Sequence, residues 1–392
     1  MSSADTIFAL ATPPGKSGVA VVRLSGPQAR QALFSLTEWQ AEPRIAKYVS
    51  FRDGSGGVVD KGLALFFASP RSFTGEDVVE CHIHGGMAVI HEFLAVLSGM
   101  GLRPAEAGEF TRRAFANGKM DLLEAEGLAD LIDAETAAQK TQAQRQMEGE
   151  LSAYYAEIRL KMLTALAHLE AYIDFPDEEI PESVFTGIAE DISAVEHSIR
   201  SAMNDAGRGE RLRDGISVVI LGAPNVGKSS LLNVLACREV AIVSQRAGTT
   251  RDMIEVHLDM GGYPVVLVDT AGIRESDEEI EREGIRRALK RADDADVRLV
   301  VFDAYNWPPD EASAGVRVSA LLEADCIVAV NKTDVMAAAP VTWRGITPYS
   351  ISTQSGQGVD ALVAAIEGRV VARYGQGQAP FITRARHRHQ LV

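Results

Sequence analysis

Cysteine is scarce. Three residues, Cys81, Cys237 and Cys326, stand far apart in a chain of 392. That spacing argues against a disulfide framework and fits a reducing compartment, so the expected location is the cytoplasm. Long apolar runs are also lacking, and none approaches the length of a membrane span. The opening MSSADTIFALATPPGKSG has no basic leader followed by an apolar core, so no signal peptide is expected. Positive charge is in deficit. The net charge of -15 argues against non-specific wrapping of nucleic acid and leaves any RNA contact to a local basic patch. Internal repeats and low-complexity tracts are missing. One cluster of metal-ligand types exists, Cys81, His82, His84 and His91. Strand alternation points Cys81 away from His82 and His84, so these read as ordinary strand-end residues.

What is present is ordinary globular composition, 46% hydrophobic and 24% charged, long enough for two or three domains. The organising stretch is GAPNVGKS, Gly222 to Ser229. The apolar run from Ile216 to Leu221 precedes it as a strand, and SSLLNVLA follows as a helix start. Strand, glycine-rich loop and helix is the context that gives a G-x-x-x-x-G-K-[ST] match its meaning. The glycines let backbone N–H groups converge on phosphate oxygens at a helix N-terminus. Lys228 then reaches the β- and γ-phosphates, and Ser229 holds Mg²⁺. Gly-Lys-Ser also occurs in PGKSG, Pro14 to Gly18, but Leu10 stands where the first glycine is required.

Around this motif the chain reads as three parts. Residues 1–118 form a small α+β domain with strands at AVVRLSG, LALFF and DVVECHIHGG. A helix follows, with Ile90, Phe93, Leu94 and Leu97 on one face. Residues 119–213 are helical. Leu122, Ala125, Leu128 and Ile132 mark one stripe, and Leu151, Tyr155, Ile158, Met162, Leu166, Leu169 and Ile173 a longer one. FPDEEIP breaks the pattern, and Ile188, Ile192, Val195 and Ile199 begin a third helix. The stripes are expected to pack in a bundle, and GRGERLRDG, Gly207 to Gly215, reads as a linker. Residues 214–374 hold the loop motif and a hairpin turning at Gly261-Gly262. Three further strands, VRLVVFDA, CIVAVNKTD and TPYSIS, make a doubly wound α/β domain. The last stretch, within 375–392, is basic and reads as the first turns of a helix.

The remaining pieces of a nucleotide site follow in order. Asp269-Thr270-Ala271-Gly272 ends a strand, where a carboxylate binds Mg²⁺ through water and a glycine N–H meets a γ-phosphate. Thr249 and Thr250 lie where a switch threonine closes on Mg²⁺, and Thr250 is the expected ligand. Asn331-Lys332-Thr333-Asp334 ends a further strand. Asp334 can accept from guanine N1–H and N2–H₂, a pair adenine cannot offer, while Lys332 packs across the base. Ser352 and Thr353 are expected near guanine O6. Four pieces in this order make the nucleotide GTP. The nucleotide-binding set is Asn225, Val226, Gly227, Lys228, Ser229 and Ser230; Ser244, Gln245, Arg246, Ala247, Gly248, Thr249 and Thr250; Asp269, Thr270, Ala271 and Gly272; and Asn331, Lys332, Asp334, Ser352 and Thr353. Ile273 follows Gly272 where Ras-like enzymes carry a water-orienting glutamine, so another group must act. Carboxylates of IRESDEEIEREG, Glu281 among them, are candidates or a solvated helix start. Asn225 either ligates a monovalent cation beside the phosphates or simply shapes the loop.

At this point the chain resembles the tRNA-modification GTPase family MnmE/TrmE. The likeness runs through ATPPGKSGVAVVRLSGP, SFTGEDVVECHIHGG, GEFTRRAFANGKMDLLEAEGLADLIDAET, IDFPDEEI, GAPNVGKSSLLN, AIVSQRAGTTRD and DTAGIRESDEEIEREGI. It implies a multidomain α/β protein. The expected parts are an N-terminal α+β folate-binding domain that dimerises, an α-helical bundle domain, and an inserted Ras-like P-loop G domain with a doubly wound sheet. It implies a homodimer working with the FAD-containing partner MnmG in a heterotetramer on tRNA, adding a carboxymethylaminomethyl-type group at C5 of wobble uridine. Carried residue by residue, Arg23, Glu80 and Lys119 match positions that bind 5-formyltetrahydrofolate. Asn225 matches the potassium ligand, with Ser244, Arg246 and Thr249 adding K⁺ contacts, the arginine through its carbonyl. Glu281 matches the acid that positions the attacking water.

The family ends in further helices and a motif with cysteine, glycine and lysine, whereas this sequence stops at Val392 with its cysteines elsewhere. The expectation is therefore a fragment or a protein without that group, with the helical domain's second half missing. A ribosome-assembly GTPase shares the G-domain motifs, but such proteins carry an RNA-binding module or second G domain that this sequence does not show.

Overall fold

The computed structural model describes residues 5–174, 182–223, 225–238, 240–242, 255–269, 295–309, 326–336, 341–343, 345–375 and 382–391. The chain divides into two compact units, Met1–Glu126 and Gly127–Val392. Among the described residues no helix is long and apolar enough to cross a membrane.

The first unit contains β1 (Ile7–Leu10), β2 (Ser17–Ser25), α1 (Ala29–Thr37), β3 (Lys47–Arg52), β4 (Val58–Phe67), β5 (Val78–Gly85), α2 (Met87–Gly99), β6 (Arg103–Pro104) and α3 (Glu109–Ala116). Its sheet order is β3-β4-β5-β2-β1-β6, antiparallel except where β1 meets β6. Alternation along β2 buries Ala20, Val22 and Leu24 and turns Val21 and Arg23 to the open face. On β5, Val79, Cys81 and Ile83 are buried in the same way. The expected helix face is α2, which buries Ile90, Phe93 and Leu97 against the sheet. Phe93 meets Phe51 edge to face at 5.3 Å.

A buried ionic cluster closes this unit. Glu109, 3% exposed in its side chain, accepts from Arg103 at 2.6 and 3.1 Å, from Arg113 at 3.0 Å and from the Glu106 N–H at 2.8 Å. The Arg103 bonds, helped by Arg113, hold its carboxyl down at about 2, against an ordinary 4.5. The unfolded chain therefore binds the extra proton first. The contribution is complete above about pH 4.5 and is lost as pH falls toward 2. Glu109→Gln should lower stability by about 2–3 kcal/mol at pH 7, and that gap should shrink toward pH 2.5. Urea unfolding of both proteins at pH 7 and near pH 2.5 checks this; an equal gap at both values would assign the loss to packing.

The second unit opens with α4 (Leu122–Asp133), which begins at the end of the first, then α5 (Ala137–Met147), α6 (Glu150–Asp174) and α7 (Glu182–Asp214). Sequence periodicity does not announce α5. Its start is fixed by a capping box, with Thr136 and Gln139 each capping the other's backbone N–H. Two expectations need correction. Gly207 to Gly215 is not a linker, because α7 continues to Asp214 and ends at Gly215, whose φ is +103°. Tertiary contacts override the glycines: Leu212 is buried, Gln142 donates to the Gly209 carbonyl and Gln139 to that of Arg213. The long stripe is also not wholly packed. Leu151 and Ile158 are buried, but Met162, Leu166, Leu169 and Ile173 are exposed. FPDEEIP lies outside the described residues.

Among the described residues the strands and α-helices that follow are β7 (Ile216–Leu221), α8 (Lys228–Ala236), β8 (Glu255–Met260), β9 (Tyr263–Asp269), β10 (Val297–Asp303), β11 (Cys326–Asn331), β12 (Tyr349–Ser350), α9 (Val359–Tyr374) and α10 (Ala385–His389). The sheet order β12-β11-β10-β7-β9-β8 is parallel except for the β8–β9 hairpin. β7 has β9 on one side and β10 on the other, so the chain reverses its direction of winding there. The loop after β7 thus opens at the topological switch point, where such sheets bind ligands. Asp296, 6% exposed in its side chain, ties the sheet to its surroundings. It accepts from the Ser217 N–H at 2.9 Å and Tyr374 Oη at 2.7 Å, and pairs with Arg211 at 3.2 Å. Burial, with the hydrogen bond to Asp296 adding to it, raises the Tyr374 phenol well above its usual range.

Candidate functional site

The glycine-rich loop is curled by left-handed backbone at Asn225, φ 64°, and at Gly227, φ 99°. Asparagine tolerates this conformation better than most side chains. Gly227 caps α8, and a Cβ there would lie 2.2 Å from Asn331 Nδ2. At Gly222 a Cβ would lie 2.3 Å from the Val301 carbonyl. Both glycines are thus required by space. Lys228 is 7% exposed, and its ammonium donates to the carbonyls of Gly222 and Ala223 at 2.9 Å each. A phosphate oxygen can outbid these carbonyls as a charge-assisted partner. Ser229 and Ser230 follow it in the first turn of α8, and Val226 is buried beneath the loop.

Asn331 joins this loop to the far side of the site. Its side chain, 1% exposed as a residue, donates to the Val226 carbonyl at 2.9 Å and to Thr353 Oγ1 at 3.3 Å. Its Oδ1 accepts the Thr353 N–H at 3.0 Å. That N–H is committed within the protein, so Thr353 braces Asn331. Ser352 is buried, donates its N–H to Gln357 and accepts from the Ser355 N–H. Lys332 adopts φ 65°, and its ammonium lies 3.3 Å from Asp303 Oδ2. Thr333 donates both its N–H and its hydroxyl to the Ile351 carbonyl. Asp334, two residues past Lys332, is exposed to solvent.

The structure therefore brings Asn225 to Ser230 together with Asn331, Lys332 and Thr353. Asp269 ends β9 beside them, in register with Ile220 of β7. Ser244 to Thr250, Thr270 to Gly272 and Glu281 lie outside the described residues. Asp303 was not singled out from sequence. Its signal was available: a carboxylate ending a strand, VFD, aligned with the strand that ends in Asn331.

In the first unit, register pairs Arg23 on β2 with Glu80 on β5. Arg23 Nε and one terminal nitrogen both reach Glu80 Oε1, at 3.0 and 2.8 Å. The guanidinium lies over the rings of Phe73 at 5.6 Å and Phe110 at 5.9 Å. Neither phenylalanine was marked by sequence, since they come from separate segments. Lys119 is exposed and donates to the Pro70 carbonyl at 3.1 Å, on the loop that also carries Phe73. The Arg23 guanidinium is thus fixed by a carboxylate and two aromatic rings on the open face of the sheet.

A glycine-rich loop at the switch point with a buried lysine, wired to Asn-Lys-Thr-Asp at a strand end, defines a P-loop GTPase. The family models and the curated relatives agree with that class. The family model described as GTP-binding protein TrmE N-terminus matches residues 6–119, and the one described as MnmE helical domain matches residues 122–392. The tRNA modification GTPase MnmE of Parvibaculum lavamentivorans is 53% identical over 391 residues, covering 99% of this chain and 87% of that protein. That of Paramagnetospirillum magneticum is 50% identical over 386 residues, covering 98% and 87%. Among solved structures, Aquifex aeolicus Era bound to GDP.AlF4- is 27% identical, covering 42% of this chain and 58% of that chain with a TM-score of 0.31. The chain belongs to the MnmE (TrmE) family of tRNA modification GTPases.

Proposed function

We propose that this GTPase is potassium-activated and supplies the nucleotide-driven step that adds a carboxymethylaminomethyl-type group at C5 of wobble uridine in tRNA. The observation that carries the reading is Asn225, held in left-handed backbone between the two glycines of the loop. The residue is exposed in that loop, in a chain whose Ile273 removes the usual water-orienting amide. Asn225 and the Ser244, Arg246 and Thr249 segment would hold K⁺, and Ser229 with Thr250 would hold Mg²⁺. Bound there, the two cations neutralise charge that develops on the phosphoryl oxygens. Lys228 binds and orients the phosphates, Asp334 and Lys332 take guanine, and Glu281 orients the attacking water.

The organisation that suits this function is a folate-binding domain at 1–118, helices at 119–213 and 375–392, and the G domain at 214–374. Arg23, Glu80 and Lys119 would hold 5-formyltetrahydrofolate or a related folate, which supplies the one-carbon unit. The open face of the first sheet supports a homodimer: Tyr48 and Leu63 are paired in register and are 67% and 41% exposed. The FAD-containing MnmG joins that dimer in a heterotetramer in the cytoplasm. The purified protein should hydrolyse GTP faster in K⁺ than in Na⁺, and Asn225→Ala should abolish the difference while leaving GDP binding intact. Deleting the gene should remove the wobble-uridine modification from tRNA nucleosides measured by mass spectrometry. Equal rates in the two cations would refute potassium activation, and unchanged nucleosides would refute the tRNA role.

A further inference from the structure

The base-binding side of the G domain contains a carboxylate that the motifs do not include. β10 ends at Asp303, aligned in register with Asn331 at the end of β11. The two Asp303 oxygens have separate partners. Oδ1 accepts from the Tyr305 N–H at 3.0 Å, the Asn306 N–H at 3.1 Å and Asn306 Nδ2 at 3.0 Å. Oδ2 faces the Lys332 ammonium at 3.3 Å. The carboxylate is 13% exposed in its side chain and Lys332 37%. The Lys332 backbone is itself constrained at φ 65°, and Thr333 beside it is tied twice to Ile351.

We propose that Asp303 is a positioning residue for guanine: it anchors the Lys332 ammonium so that the lysine stem stands as a preformed wall of the base pocket. This rests on the reading that Lys332 and Asp334 receive the base. An exposed ion pair between two mobile side chains contributes little, because both must be ordered to form it. Here one partner is already immobilised by three hydrogen bonds from the turn at Ala304–Asn306. Lysine carries many rotamers, and ordering them before the ligand arrives removes that cost from binding. The effect belongs to nucleotide affinity, because the base lies away from the bond that breaks and contributes equally to ground and transition states.

The test is titration of the full chain with mant-labelled GDP, together with steady-state GTP hydrolysis. Asp303→Asn keeps an oxygen for the three Oδ1 donors and removes the charge opposite Lys332. Lys332→Met keeps an apolar stem and removes the ammonium without touching Asp303. Each should raise the GDP Kd and the GTP KM about tenfold, with kcat within about twofold. The double variant should be no worse than either single one. Losses that multiply in the double variant would make Asp303 a support for the turn alone and overturn the proposal. So would a normal Kd in Asp303→Asn alongside a weakened Lys332→Met. Should Lys332→Ala bind GDP normally, the assignment of Lys332 to the base fails, and the proposal with it. If Asp303→Asn does not fold, Lys332→Met decides alone, with a normal Kd counting against the anchor.

Discussion

Asp334→Asn should convert the site from guanosine to xanthosine triphosphate. Guanine presents N1–H and N2–H₂ side by side, and one carboxylate accepts both. An asparagine offers one acceptor and one donor. It leaves one base N–H without an acceptor and sets its own NH₂ against another donor, a mismatch of the kind that costs about 10²-fold or more in discrimination. Xanthine carries a carbonyl at C2, which that NH₂ can satisfy. The surrounding geometry should survive the change, because Asp334 is exposed and the segment is held by Thr333 on Ile351 and by Asn331 on Val226. Competition of GTP, XTP and ATP against mant-labelled GDP reads the outcome directly. A variant that still prefers GTP by the parental margin would remove Asp334 from base recognition.

The parts of the molecule that were legible in sequence are those whose cause is local. Apolar runs gave β7, β10 and β11, and the Gly261-Gly262 pair gave the hairpin between β8 and β9. Lys228 follows its strand by a fixed, short loop, so its place needed no knowledge of the rest of the chain. The failures have the opposite character. The end of α7 looked like a linker because glycine and arginine dominate it, yet Leu212 and the Gly209 carbonyl are claimed by the core and by Gln142. The helix α5 is polar, and its identity depends on a capping pair more than on periodicity. The packing expected along α6 is only partial in its second half, where Ala165 is buried but Met162, Leu166, Leu169 and Ile173 stay exposed.

The site divides in the same way. Asn331 ends β11, but its bond to Val226 spans 105 residues and is set by the strand order, not by any motif. That bond explains why the Asn-Lys-Thr-Asp segment begins with an amide. Its NH₂ group fastens the phosphate loop, its oxygen fastens Thr353, and a carboxylate could supply only the second kind of contact. Arg23, packed over Phe73 and Phe110, likewise joins three distant segments. Two-letter or four-letter patterns report the groups that touch a ligand. The groups that hold those groups still are found only once register and topology are known.

Glu281→Ala should reduce kcat about 10²-fold or more while leaving GDP affinity within a small factor, as expected for a group that orients or deprotonates the attacking water. The expectation rests on a vacancy in the chemistry. A GTPase needs a polar group to aim the water at the γ-phosphorus, and the residue after Gly272 is Ile273, which cannot accept a hydrogen bond. Positive charge at the loop, from Lys228 and the two cations proposed there, lowers the barrier but leaves the nucleophile unoriented. The acidic run that follows, IRESDEEIEREG, holds several carboxylates, and these differ in a testable way. An interaction made mainly in the transition state lowers kcat and kcat/KM together and leaves ground-state binding alone. A solvated acidic face does neither. Glu278→Ala and Glu279→Ala are therefore the controls, each expected to keep kcat within about threefold. Single-turnover hydrolysis in K⁺, beside mant-GDP titration of all three variants, separates the cases. If the three substitutions lower the rate by the same amount, the run acts only through its charge, and the water must be oriented by another residue.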